Sequence, residues 1–173
     1  MPTPIDARAV TAEHGILNND DSSGERSDAL VFFGITGDLA YKKIFPALYN
    51  MAKRGVLDVP VIGVASSPWT VDQLIERARK SIGEHEQHID EDAFATLAKA
   101  ISYVQGDYRV ADTYNHIRVA LGESKRPLHY LAIPPSLFGD VVRGLGEASC
   151  TSNARVVLEK PFGRDLASAK ELN

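Results

Sequence analysis

The sequence has a single cysteine, two methionines and one tryptophan in 173 residues. A lone Cys150 cannot form an internal disulfide, and without a paired Cys-x-x-Cys there is no thiolate zinc or redox site. This predicts a reducing compartment, with the cytoplasm as the default. Long apolar runs are also missing: a membrane-spanning helix needs about 20 apolar residues, whereas the most apolar run, Leu30 to Ile35, is short and interrupted by Gly34. No basic cluster precedes an apolar block at the start, so neither a secretory signal nor a membrane partner is expected. Positive charge is not in excess, since 19 Lys and Arg face 23 Asp and Glu, for a net charge of −4. That balance excludes a surface that holds nucleic acid by bulk electrostatics, and any bound anion must be held locally. Aromatic residues are absent from positions 1–28, which end in the polar run Asn18 to Arg26. Such a segment cannot bury enough apolar area to offset its ordering entropy and reads as a disordered N-terminal tail.

What remains, residues 29–173, has the size and composition of one globular domain. Short runs rich in Val, Ile, Leu and Phe alternate with longer segments of helical period, the pattern of an α/β, doubly wound, mainly parallel sheet covered by helices. Strands are predicted at Ala29 to Gly34, Val59 to Ala65, Ser102 to Gln105, Leu128 to Ile133 and Arg155 to Glu159. The first is a continuous apolar run without period-2 alternation, as expected of a strand buried on both faces. Helices are expected from Leu39 to Arg54, with Pro46 bending or delaying it and Gly55 capping its end, and after Thr70 and Asp72. Further helices are expected over Asp90 to Ala100 and Asp112 to Leu121, from a Ser136 cap through Leu145, and from Asp165 onward.

The segment richest in chemistry is Gly34-Ile35-Thr36-Gly37-Asp38-Leu39-Ala40-Tyr41-Lys42-Lys43, between the first strand and the first helix. In a doubly wound sheet the first such turn must let backbone amides approach a pyrophosphate at the positive end of a helix, and Cβ atoms would obstruct that approach. Gly34 and Gly37 remove them, Thr36 offers a hydroxyl, and Lys42 and Lys43 lie within the first helical turns. Asp38 would repel a phosphate unless its carboxylate turns inward as a helix cap, the role expected of it. The competing reading is a plain strand-to-helix turn with Asp38 and Lys42 as a solvated i, i+4 ion pair. From spacing alone the two weigh evenly, because the full G-x-G-x-x-G fingerprint is missing; no G-x-x-x-x-G-K-[ST] supports an NTPase.

Three segments then act together: Gly34 to Lys43, Leu131-Ala-Ile-Pro-Pro-Ser-Leu-Phe138, and Arg155-Val-Val-Leu-Glu-Lys-Pro-Phe-Gly-Arg-Asp-Leu-Ala-Ser-Ala169. In order and approximate spacing they resemble the glucose-6-phosphate dehydrogenase family, from about Leu30 to Asn173, most specifically in Glu159-Lys160-Pro161-Phe162-Gly163. The resemblance implies a Rossmann-like coenzyme domain that serves oxidation of glucose 6-phosphate at C1 to the lactone, the first step of the pentose phosphate pathway, with hydride passing to NADP⁺ or NAD⁺. By position, Gly34, Thr36, Gly37, Asp38 and Leu39 match the coenzyme loop and Lys43 a lysine near the coenzyme. Pro134 lies in a turn that lines the coenzyme cleft. Glu159 precedes Lys160, which matches a lysine reaching both coenzyme and sugar; Pro161 matches a proline whose preceding peptide bond is cis.

Two positions depart from the family pattern. Where an arginine usually pairs with the 2′-phosphate of NADP⁺, this chain has Ser66, followed by Ser67; a serine lacks the bidentate, charge-assisted pairing of a guanidinium. The acidic residue of a strict NAD⁺ binder is absent too, so relaxed selectivity or a tilt to NAD⁺ is expected. Phe138 stands where the family often has tyrosine. The resemblance also implies a further catalytic domain, encoded downstream or separately, that brings a histidine and an aspartate to hold the sugar phosphate and a later histidine as base; none matches within these 173 residues, so no catalytic residue is assigned and the chain alone is expected to be inactive. His85 and His88 have i, i+3 spacing but read as a solvated helix end rather than a metal site, and His129 reads as a core histidine. Two alternatives stay open: a free-standing dinucleotide-binding module without catalysis, and the coenzyme domain of another sugar oxidoreductase that also ends in a Glu-Lys-Pro turn, against which the Gly-Asp-Leu entry argues.

Overall fold

The computed structural model describes residues 26–159. The chain alternates strands and helices: β1 (Ala29–Phe33), α1 (Phe45–Lys53), β2 (Val61–Ala65), α2 (Val71–Gly83), α3 (Glu91–Ala100), β3 (Ile101–Gln105), α4 (Ala111–Leu121), β4 (Pro127–Leu131), α5 (Phe138–Glu147) and β5 (Arg155–Leu158). The strands form one five-stranded sheet in the order β3-β2-β1-β4-β5, parallel throughout. The doubly wound sheet expected from the apolar runs is therefore what forms.

Burial explains the strand sequences. β1 and β2 are buried at every residue, which requires the continuous apolar runs ALVFF and VIGVA. The edge strands β3 and β5 are only partly covered, and there polar residues enter. Alternate residues of β1 feed two cores. Leu30 and Phe32 pack with Phe45, Leu48, Leu74, Ile82, Phe94 and Leu97 under α1, α2 and α3. Ala29, Val31 and Phe33 pack with Tyr114, Ile117, Val141 and Leu145 under α4 and α5. The chain winds outward from β1 through β2 to β3, then returns to the other side of β1 as β4. The reversal lies between β1 and β4, which makes the crevice outside their carboxyl ends the natural ligand site.

Several local expectations change. The α-helix expected from Leu39 begins only at Phe45, with Pro46 in its first turn, which is the delayed start expected of it; a π-helical turn, Ala40–Ile44, precedes it, in which the Phe45 amide bonds the Ala40 carbonyl. Lacking an N–H and crowding the carbonyl four residues back, a proline is tolerated where the hydrogen-bond ring is already widened. Ser136 does not cap α5: Pro135–Leu137 form a 3₁₀ turn and α5 starts at Phe138 without a side-chain cap. Thr70 does cap α2, in a reciprocal box with Gln73, and Asp90 caps α3 through the amides of Asp92 and Ala93. Asp28, placed in the tail by composition, accepts hydrogen bonds from the Lys125 and Arg126 amides at 2.7 and 2.8 Å and so fastens the entry to β1 beside β4. Residues 1–25 of the tail and the helix expected from Asp165 lie outside the described residues, and among the latter no helix is long and apolar enough to cross a membrane.

Candidate coenzyme crevice

The turn after β1 is built on a backbone that only glycine adopts without strain. Gly34 has φ +81°, and a Cβ there would run into the Ala132 carbonyl oxygen and lie 3.0 Å from its carbon. This contact presses the end of β1 against the segment leaving β4, the two sides of the reversal. Gly37 closes the turn by donating to the Gly34 carbonyl at 2.9 Å, and its own carbonyl accepts from Tyr41 at 3.1 Å, the first bond of the following helix. The amides of Asp38 and Leu39 therefore have no carbonyl within the helix to bond, and they lie at its positive end. Ile35, between the glycines, is buried against Gly63 of β2, where a Cβ would come within 2.8 Å of Ile35 Cγ2.

The neighbouring turns complete the rim. Thr36 Oγ1 and Ser67 Oγ share a hydrogen bond of 3.0 Å, which ties the glycine turn to the loop leaving β2; Ser66 beside it is exposed. Pro134 is exposed just beyond β4, two residues from the Ala132 carbonyl that faces Gly34. Glu159 follows β5 and accepts a hydrogen bond from the Tyr130 hydroxyl. Burial, and next the bond to Glu159, raise the Tyr130 phenol above its ordinary pKa, so it stays the donor. Gly34, Thr36, Gly37, Asp38, Leu39, Ser66, Pro134 and Glu159 thus all belong to segments at the carboxyl ends of the strands. Lys43 sits farther along, exposed in the π turn, and among the described residues no hydrogen bond or ion pair links it to the glycine turn. Lys160 and Pro161 lie outside the described residues.

The expected cap at Asp38 is not made. Its side chain is exposed, the helix entry carries no side-chain cap, and Asp38 forms no ion pair with Lys42 among the described residues. With Gly37 supplying the first helical carbonyl, Asp38 already stands inside the helix, one residue too late to cap it.

Two tyrosines that sequence reasoning missed support the rim. The Tyr108 hydroxyl accepts from the Gly34 amide at 2.9 Å and donates to the Val64 carbonyl at 3.2 Å; burial pushes its pKa up to about 12. Tyr103 donates to the carbonyls of Ala65 and Ser67 at 3.2 and 2.7 Å and fixes the loop after β2. Both come from β3 or the loop after it, and nothing in their local sequence marks this role. Of the histidines, His85 bonds the Ser81 carbonyl at 2.9 Å, His116 lies 3.7 Å from Asp112 on the surface of α4, and His129 is buried with Nε2 donating to the Cys150 carbonyl at 2.8 Å. None of these stands in a turn at the carboxyl end of a strand.

This arrangement suits a dinucleotide: glycines remove the Cβ atoms that would fill the approach, and the helix-start amides of Asp38 and Leu39 lie at the positive end of the helix, where an anion is favoured. Residues 31–173 match the family described as glucose-6-phosphate dehydrogenase, NAD-binding domain. Glucose-6-phosphate 1-dehydrogenase 1 of Mycobacterium tuberculosis is 48% identical over 153 residues, 88% of this chain and 33% of the relative. The glucose-6-phosphate 1-dehydrogenase of Saccharomyces cerevisiae is 32% identical over 161 residues, 86% of this chain and 32% of the relative. The crystal structure of a glucose-6-phosphate 1-dehydrogenase from Mycobacterium avium superposes with a TM-score of 0.80 at 46% identity, covering 85% of this chain and 33% of that one. A glucose-6-phosphate dehydrogenase solved in complex with glucose-6-phosphate superposes with a TM-score of 0.76 at 32% identity, covering 87% of this chain and 34% of that one. The chain spans about a third of the length of the curated relatives it matches. By this agreement of family profile, sequence and fold, the chain belongs to the glucose-6-phosphate dehydrogenase family, as its NAD-binding domain.

Proposed function

We propose that the chain binds NADP⁺ or NAD⁺ across the crevice between β1 and β4 and provides the coenzyme half of a glucose-6-phosphate dehydrogenase. The observation that carries this reading is the glycine turn itself: Gly34 held at positive φ against Ala132, with the amides of Asp38 and Leu39 left to meet a pyrophosphate. When bound, the coenzyme would supply a hydride acceptor for the oxidation of glucose 6-phosphate at C1. The chain's own part is to bind and orient. Gly34 and Gly37 admit the pyrophosphate, Thr36 with Ser66 and Ser67 lines the side nearest β2, and Pro134 and Glu159 form the wall beyond β4 and β5. Lys160, next to Glu159 in sequence, matches a family lysine that the resemblance implies reaches both coenzyme and sugar.

Oxidation at C1 also needs a base to take the hydroxyl proton as the C–H bond breaks, a contribution of about 10²–10⁴-fold. None of the four described histidines stands at the carboxyl edge of the sheet, so the described residues offer a coenzyme crevice and no histidine base for the sugar phosphate. Ser66 cannot reproduce a guanidinium's paired bonds to a 2′-phosphate, and no carboxylate marks the end of β2 for an NAD⁺ ribose. Selectivity is accordingly relaxed or tilted to NAD⁺. Calorimetric titration with each coenzyme, paired with an absorbance assay on glucose 6-phosphate, tests the reading. Binding of both coenzymes without reduction is expected. Absence of binding would remove the dinucleotide reading, clear preference for NADP⁺ the selectivity reading, and turnover the assignment of the base elsewhere.

A further inference from the structure

Arg77 of α2 is half-buried, and among the described residues no carboxylate pairs with it. Its guanidinium carbon lies 4.7 Å from the centroid of the Tyr41 ring and 5.5 Å from that of Trp69. Its Nε is buried without a hydrogen-bond partner. The nearby Arg79, by contrast, is engaged by both carboxylate oxygens of Glu91 at 2.9 and 2.8 Å. A guanidinium held between aromatic rings, with its charge unanswered, is pre-organised for a planar or phosphate anion.

The origin of the two rings says where that anion would sit. Tyr41 makes the first helical bond to Gly37, so its ring rises from the helix that begins at the glycine turn. Trp69 donates its amide to the Ser67 carbonyl at 2.8 Å, in the loop that leaves β2. Side chains on a helix lean toward its N-terminus, and the Arg77 guanidinium accordingly reaches the ring of Trp69, which lies just before the Thr70 cap of α2 and two residues after Ser67. Ser67 is in turn bonded to Thr36 of the glycine turn. The hollow beside Arg77 is lined by one carboxylate, Glu76, against Arg77 and Lys80, with Arg79 already answered by Glu91, so its charge is positive overall.

We infer that Arg77 is the specificity residue for the ribose 2′-phosphate of NADP⁺, supplying from α2 the cation that the end of β2 lacks at Ser66. The inference rests on the dinucleotide reading and deepens it: a monoester phosphate on the adenosine ribose is accepted through Arg77, while NAD⁺ does not depend on it. The same Arg77 would otherwise be only a packing element between Tyr41 and Trp69, and the two roles separate experimentally.

The test is calorimetric binding of NADP⁺ and NAD⁺ to the chain and its variants, with folding checked by circular dichroism. Arg77→Met is expected to weaken NADP⁺ by about tenfold or more and to leave NAD⁺ within about twofold, since the charge-assisted bond to phosphate is lost while an apolar stem still packs against Tyr41 and Trp69. Adding Ser66→Arg in the same chain should restore NADP⁺ binding by returning a guanidinium to the end of β2. Equal weakening of both coenzymes, or no change in either, overturns the inference while leaving the dinucleotide reading intact; loss of all binding by the unsubstituted chain overturns both. If Arg77→Met does not fold, Arg77→Lys, which keeps stem and charge but not the planar fork, is read by the same criterion: a loss confined to NADP⁺ supports the assignment and an equal loss refutes it.

Discussion

At the scale of single residues, the two glycines of the turn have separable jobs. Gly34 is there for its backbone: positive φ and the Ala132 carbonyl leave no room for a side chain. Gly34→Ala should cost about 2–4 kcal/mol of stability in urea unfolding, combining left-handed strain with a backbone clash. At Gly37 a Cβ would lie 3.2 Å from the Gly34 carbonyl oxygen, a contact that a small shift relieves. Gly37→Ala should cost less than about 1 kcal/mol yet weaken coenzyme binding, because its methyl group stands before the helix-start amides. Equal stability losses would mean that the strain is not concentrated at Gly34. Glycine positions were legible in the sequence because their spacing between a strand and a helix is local. Tyr108 was not, since it reaches the Gly34 amide from 74 residues away, a contact that only the order of strands creates.

At the scale of elements, β4 carries a titratable group in its interior. Burial lowers the pKa of His129, outweighing the bond to the Cys150 carbonyl, so the folded chain holds it neutral. The unfolded chain takes up a proton near pH 6.5, so it binds more protons than the native state below that point. Stability from this site is therefore present above about pH 6.5 and lost as pH falls below it. Thermal unfolding followed from pH 7.5 to 5.5 should show a decline in Tm that His129→Gln, which keeps a donor for Cys150, makes shallower; parallel slopes would exclude His129 as the source. Strands and capped helices were readable where the signal sits within one turn, as in the Thr70 and Gln73 pair. Asp38 and Ser136 failed as caps for a common reason: each helix begins at a place decided by its surroundings, Gly37's carbonyl in one case and the Pro135–Leu137 turn in the other. The end of β4 at Leu131 rather than Ile133 has a similar cause, because the Ala132 segment is drawn against Gly34.

At the scale of the whole molecule, β1 and β4 bind together two cores that lie on opposite faces of the sheet. Amide hydrogen exchange should be slowest in β1, whose five residues are all buried and paired on both sides, and faster in β5, whose Arg155 and Val156 are exposed at the edge. Uniform protection across the sheet would contradict this hierarchy. The π turn at Ala40–Ile44 also acts at this scale, as a matter of phase. An α-helix advances about 100° per residue, so the one extra residue in a widened ring rotates everything before it relative to everything after it. Buried Phe45, Leu48, Tyr49 and Ala52 fix the angle of the later part against the sheet. The angle of the glycine end relative to that part is then set by the π turn, and a chain shortened by one residue there would keep its helix and its core while turning the amides of Asp38 and Leu39 away from the crevice.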